Sequence, residues 1–271
     1  MAGTVFIGGV QASYACLQAL CELGQVPRFA VGYSPGWASR ASGGTDLSPL
    51  AEQYGFELVT TRDVNDSSLV SGIEYLNPDL VWVIGWSQIV KPRLLHAPRH
   101  GCVGIHPTRL PQGRGRAAIP WTILKDLRTT ASTMFFLNEG MDDGPVVGRV
   151  EFPVAERETA LSLYRKHLQA HVQLVREHCF DLVAGRVEGF PQDKRVASYW
   201  PRRVPADGRI DWTQPVVEID RLVRAVTRPY PGAFTDTRQG RVIIWRAEPE
   251  LLAEMQASSG EWLSPGLPPA P

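Results

Sequence analysis

Short apolar runs bounded by turn residues alternate with stretches of three-and-four spacing through the first half of the chain. The run 4–8 (TVFIG) stops at Gly8-Gly9. Behind it Tyr14, Leu17, Leu20 and Leu23 recur at three-residue steps, with Cys21 four residues beyond Leu17, so a strand and then a helix over 12–23 are predicted. The same reading makes strands of 28–35, 57–61, 80–86 and 101–106, and helices of 47–56, 63–75 and 92–97. LVWVIGW (80–86) shows no polar alternation, as expected of a parallel sheet covered on both faces. Further on, a helix over 117–127 precedes two strands within 132–154, joined by a polar loop containing glycine. An amphipathic helix follows over 159–183. The expected fold class is α/β, with an N-terminal doubly wound, mostly parallel sheet.

Residues 186–208 are rich in Pro, Arg, Gly and Asp and read as a linker between a catalytic domain (1–185) and a small, truncated, β-rich C-terminal domain (209–258). That domain is expected to hold a helix over 219–227 and a hairpin within 232–247 turned at Arg238-Gln239-Gly240. The tail 259–271, rich in Pro, Gly and Ser, is expected to be disordered.

The 271 residues are 44% hydrophobic with zero formal net charge, which makes no global electrostatic case for nucleic acid or an acidic membrane. No run reaches the roughly 18 apolar residues of a membrane span, and the N-terminus lacks a basic, then apolar, targeting pattern. Cys16, Cys21, Cys102 and Cys179 form no CxxC and read as buried free thiols, which fits a reducing cytoplasm. Nothing sets the oligomeric state, and a homodimer is compatible with the sequence.

In open sheets of this kind ligands bind beyond the carboxyl ends of the strands. Two candidate regions stand there: the residues after Trp86, and His106 with its stiff cationic loop, GIHPTRLPQGRGRAAIPW (104–121). Gly8-Gly9 lacks the GxGxxG spacing of a dinucleotide site and reads as a plain strand-to-helix turn. His167 and His171 share i,i+4 spacing, but no carboxylate or Cys completes a metal set, so with His178 they read as a solvated helix face and no metal is expected. A buried histidine that moves protons needs a partner to orient the ring and favour its charged form, and a carboxylate does both. Asp142 or Asp143, in the loop NEGMDDG, can supply it. With no Ser or Cys nucleophile in a fitting motif, the pair points to acid–base chemistry between two bound substrates. Prolines 107, 111 and 120 are expected to restrict the loop, and Arg114 and Arg116 could hold anionic groups. At least one of Arg109, Arg114 and Arg116 reads as a plain surface charge, and Asp143 as an exposed residue shaping the turn before Gly144.

GIHPTRLPQGRGRAAIPW followed by LNEGMDDGPVV, with an Asp-x-Gly 36 residues after the His, resembles the 10-formyltetrahydrofolate-dependent formyltransferases. The segment RAVTRPYPGAF (224–234) resembles the nucleotide-amino-sugar members more than the initiator-tRNA enzymes. The resemblance implies 10-formyltetrahydrofolate as formyl donor and an amine as acceptor, with His106 as the catalytic histidine and Asp142 as its aspartate. It further implies that Gln88, Ile89 and Val90 hold the pterin ring through their backbone, that Asn138, Glu139, Gly140, Met141 and Asp142 form the opposite wall, and that Arg116 contacts the folate. The chain departs from the family where an oxyanion-donating Asn stands two residues before the His, because here that position is Gly104. Three alternatives stand open: a water or backbone N–H replaces the amide, Thr108 or Gln112 reaches in, or the protein is no longer an efficient formyltransferase. A small acceptor is favoured over methionyl-tRNA because residues 190–271 carry eleven Lys and Arg against ten Asp and Glu, and because only about 60 residues follow the linker. A hydrolase of the formyl donor and a degenerate folate-binding protein are the remaining alternatives.

Overall fold

A computed structural model of the chain describes residues 3–38 and 43–262. In chain order the elements are β1 (Thr4–Ile7), α1 (Gln11–Glu22), β2 (Phe29–Gly32), α2 (Pro35–Ala38), α3 (Ser48–Tyr54), β3 (Glu57–Thr60), α4 (Ser67–Leu76), β4 (Leu80–Val83), α5 (Pro92–Leu95), β5 (Cys102–His106) and β6 (Arg114–Gly115). There follow α6 (Ala118–Leu124), β7 (Thr129–Phe136), β8 (Val146–Pro153), α7 (Ala160–Val183), β9 (Tyr199–Trp200), α8 (Val216–Val226), β10 (Ala233–Thr237), β11 (Gly240–Ile244), α9 (Pro249–Ala257) and α10 (Ser259–Trp262). Seven strands form one sheet in the order β3-β2-β1-β4-β5-β7-β8. The five from β3 to β5 run parallel, and β7 is antiparallel to β5. The α/β class read from the sequence is the fold.

The continuous apolar strands have their reason in the two cores. Phe6, Ala30, Trp82, Val103 and Ile105 face a cluster completed by Leu17 and Leu20 of α1, Leu50 of α3 and Leu174 and Val175 of α7. Their neighbours Val5, Ile7, Val31, Val81 and Val83 face the opposite way, against Val70 and Ile73 of α4 and Leu94 of α5. Successive side chains of a strand point to opposite faces, so a sheet covered on both sides has no polar positions to alternate.

The chain divides into two compact units. The first comprises residues 1–115, 131–152 and 166–199, and the second 116–130, 153–165 and 200–271. In the second unit Ile123 of α6, Ile219 and Val223 of α8 and Leu252 of α9 are buried, and Trp212 meets Trp262 edge-on with centroids 5.2 Å apart. Its β10–β11 hairpin is antiparallel, with Thr237 paired to Gly240 across the turn. Residues 186–208 hold β9, which pairs with β6, and Phe190 bridges to Val146. The tail expected to be disordered starts as a helix over Ser259–Trp262, and 263–271 lie outside the described residues. Among the described residues no helix is long and apolar enough to cross a membrane.

Two expectations are corrected here. His167 and His171 are not on a solvated face: they are 2% and 6% exposed, in line with the buried Leu163, Ala170, Leu174 and Val175 of α7. His178 is partly buried against Gly148. The apolar residues of this stripe turn it inward, and the two histidines that share the face are buried with them. Pro120 lies inside α6, not in the loop after β5. All four cysteines are buried and free.

Candidate active site

His106 is the last residue of β5, on the strand paired to β4 on one side and to Thr133 of β7 on the other. It is 8% exposed. Its Nε2 lies 2.9 Å from the Gly113 carbonyl oxygen, which only accepts, so Nε2 carries the proton of that bond. Nδ1 is then the nitrogen left to take up or release a proton. It faces Asp142 Oδ2 at 3.6 Å, just beyond direct hydrogen-bonding distance. The same carboxylate oxygen accepts from the Gly115 backbone N–H at 2.8 Å. Asp142, one of two carboxylates open to this role from the sequence, is therefore the partner.

The loop between His106 and Gly113 is held by more than its prolines. Thr133 Oγ1 donates to the Thr108 carbonyl at 2.7 Å and accepts from the Leu110 N–H at 3.3 Å, and Arg149 donates to the Leu110 carbonyl. Gly113 N–H donates to Ser198 Oγ at 3.0 Å. Thr108 is 1% exposed, and among the described residues neither its hydroxyl nor the buried Gln112 Oε1 has a hydrogen-bond partner.

At Gly104 the backbone is tightly enclosed. A Cβ there would lie 3.1 Å from the Val83 carbonyl oxygen and 3.2 Å from Leu137 Cδ2. The space beside the position is filled by an apolar side chain, so an Asn would need Leu137 to move.

After β4, Ile89 is 68% exposed while Val90 is buried. The Gln88 side chain is engaged at both ends: Oε1 accepts from Val64 N–H (2.9 Å) and Trp86 Nε1 (3.0 Å), and Nε2 donates to the Arg62 carbonyl (2.8 Å). Asn65 braces the same loop, donating to the Ile89 carbonyl at 2.9 Å and accepting from Lys91 N–H at 2.8 Å. Gln88 thus shapes the loop with its side chain. On the hairpin loop Asn138, Glu139, Gly140 and Met141 are exposed, with Asn138 Oδ1 accepting from Gly140 N–H at 3.1 Å.

Asp143 departs from its expected exposure. It is partly buried and folds over Gly140, where a Cβ would come within 2.2 Å of its carboxylate. Arg114 also departs, because it is 2% exposed and each of its three nitrogens donates within the protein, Nε and Nη2 to Gln192 and Nη1 to Tyr199. Arg109 is exposed and paired with Glu151 at 2.8 Å, the plain surface charge of the three. Arg116 belongs to the second compact unit, where its N–H donates to the Trp200 carbonyl. At the Gly8-Gly9 turn, the amides of Gly9 and Val10 both donate to Ser13 Oγ, which donates to the Ile84 carbonyl at 2.6 Å. Those N–H groups are committed within the protein, as a plain turn requires.

A histidine facing a carboxylate at the carboxyl ends of a doubly wound sheet is an arrangement suited to moving protons between bound groups. The family described as formyl transferase matches residues 26–178, and the formyl transferase C-terminal domain matches 203–266. A methionyl-tRNA formyltransferase from Acidothermus cellulolyticus is 33% identical over 227 residues, 84% of this chain and 69% of that protein. A sugar N-formyltransferase from Shewanella sp FDAARGOS_354 shares the fold with a TM-score of 0.72 at 19% identity, over 91% of this chain and 97% of that one. The N-formyltransferase from Helicobacter canadensis, solved with folinic acid and dTDP-3-aminofucose, gives a TM-score of 0.63 at 18% identity, over 83% and 80%. The chain belongs to the 10-formyltetrahydrofolate-dependent formyltransferase family.

Proposed function

We propose that this formyltransferase acts on the amine of a small acceptor, a nucleotide-linked amino sugar or a related biosynthetic intermediate. The observation that carries the chemistry is the His106–Asp142 pair, with Nε2 committed to Gly113 and Nδ1 left for proton exchange. The donor, when bound, supplies a formyl carbon on N10 that an amine can attack. Exposed Ile89 and Met141 offer the apolar contact that a pterin needs, in the two segments where the resemblance puts it. His106 Nδ1 takes the proton of the attacking amine and returns it to the departing nitrogen. Asp142, fixed by the Gly115 N–H, holds the ring to that task. With Gly104 offering no side-chain amide, the Thr108 hydroxyl, two residues beyond His106 and without a hydrogen-bond partner among the described residues, is a candidate donor to the oxyanion. Loss of one such donor costs roughly 10²–10³ in rate.

The small acceptor is supported by the near balance of charge over residues 190–271, which lacks the basic footprint of a nucleic-acid surface. The second reading, transfer to methionyl-tRNA, is favoured by the identity with the Acidothermus cellulolyticus enzyme. A panel assay separates them: 10-formyltetrahydrofolate is mixed with nucleotide-linked amino sugars, simple amines or methionyl-tRNA, and tetrahydrofolate and formylated product are followed. Turnover with an amino-sugar nucleotide, lost in His106→Ala, is the expected result. Turnover with methionyl-tRNA alone replaces the acceptor, and tetrahydrofolate release without any acceptor makes the protein a hydrolase.

A further inference from the structure

Arg114 is almost completely buried, and no carboxylate pairs with it among the described residues. Its guanidinium is used in another way. Nε and Nη2 both donate to Gln192 Oε1, at 3.2 and 2.8 Å, and Nη1 donates to the Tyr199 hydroxyl at 2.9 Å. Gln192 in turn donates from Nε2 to two backbone carbonyls, those of Asp142 at 2.9 Å and Gly144 at 2.8 Å. Both amide hydrogens are spent on the loop that carries the reacting carboxylate. That loop needs holding, because Asp142 has a φ of +51°, a left-handed conformation that L-residues other than Gly, Asn and Asp rarely adopt.

The two ends of a glutamine amide are nearly the same shape, so something must choose which end faces the loop. Arginine has donors and no acceptor, so a buried guanidinium admits only the oxygen end and turns the NH₂ toward the carbonyls. We infer that Arg114 and Gln192 are positioning residues for the reaction. Arg114 orients the Gln192 amide, the amide clamps the backbone at Asp142 and Gly144, and the clamp sets where the Asp142 carboxylate stands between His106 Nδ1 and the Gly115 N–H. The inference rests on the reading of His106 and Asp142 as the reacting pair, but its geometry is independent of the acceptor.

The discriminating variant is Gln192→Glu. A carboxylate keeps acceptors for Arg114 and gives that cation a counter-charge, yet offers no hydrogen to the two carbonyls. The fold is retained while the clamp is lost. Three readouts are taken on the full chain: thermal midpoint, kcat and donor KM, and hydrogen exchange of the Gly115 amide, whose acceptor is the Asp142 carboxylate. The expected result is an unchanged or higher midpoint, Gly115 exchange faster by about tenfold, and kcat lower by about 10- to 100-fold with donor KM within about twofold, the signature of misplacement rather than lost binding. Arg114→Lys keeps the charge without the fork and moves exchange and kcat in the same direction by less. Parent-like exchange and kcat in Gln192→Glu overturn the inference, and so does a loss of kcat with Gly115 exchange unchanged. A parent protein that transfers no formyl group sinks the functional reading, and the exchange measurement then decides the clamp alone.

Discussion

His106 and the pair His167 and His171 are buried to a similar degree, at 8%, 2% and 6% exposure, in the same compact unit. Their surroundings differ. Both nitrogens of His106 face groups that accept hydrogen bonds, the Gly113 carbonyl and the Asp142 carboxylate. His167 uses Nδ1 on Ser132 Oγ at 2.9 Å, and among the described residues its Nε2 and both nitrogens of His171 have no hydrogen-bond partner. Burial, and after it the nearby charge of His106, pushes His171 down to about 3. His167 is held well below its ordinary value by burial, then by His171 and His106. What separates the two regions is therefore not burial but what stands at the nitrogens.

The sharpest way to break this comparison is to remove a histidine from each region. His106→Ala is expected to lower kcat by about 10²–10⁴, the usual worth of a general acid–base group. His171→Leu should leave kcat within about twofold. Steady-state formyl transfer checks both, and a large loss in His171→Leu would mean that the helix histidines serve the reaction. Asp142→Asn is the next largest: its amide oxygen can still accept from Gly115, so only the charge opposite Nδ1 is lost, and kcat should fall about 10- to 100-fold with Gly115 exchange preserved.

Acid titration sharpens the comparison from the stability side. A histidine kept neutral in the native state but free to protonate when unfolded makes the unfolded state the greater proton binder. The stability tied to His171 is therefore fully present above the unfolded value near 6.5 and is lost as pH falls toward about 3. The slope is roughly 1.4 kcal/mol per pH unit for each such group. Denaturant midpoints between pH 7 and 4 should fall less steeply in His171→Leu than in the parent, and at pH 7 the variant should match or exceed it, because two unpartnered nitrogens are removed. A change confined to stability is expected of Gly104→Asn, which should cost about 1–3 kcal/mol by crowding Leu137 and the Val83 carbonyl. Pairing it with Leu137→Ala should recover part of that loss and raise kcat above the parent, as measured by thermal unfolding and turnover.

Patterns that repeat within one element were legible in the chain. The doubly wound sheet follows from apolar strands of four or five residues alternating with helices, because a strand buried on both faces must be apolar at every position. The candidate pair was legible too, since His106 ends a strand and Asp142 sits on a hairpin loop, both marked by Gly and Pro in their surroundings. The inward face of α7 was misjudged because a histidine at a core position carries no mark that separates it from a surface one. Which way it points is decided by the sheet packed against it.

Contacts between distant segments depended on tertiary structure alone. Gln192 lies in a stretch whose Pro, Arg and Asp content reads as a linker, yet it meets Arg114, 78 residues earlier, and Asp142, 50 residues earlier. Arg114 read from the sequence as an anion site and became a buried strut. The Gly113 carbonyl, which leaves Nδ1 as the free nitrogen of His106, belongs to the backbone and has no sequence signature. Local order is written in residue type and spacing because strand and helix faces repeat every few residues. The hydrogen-bond partners of a buried polar group are chosen by whichever segment the fold brings alongside, and that choice is made by the packing of the whole unit.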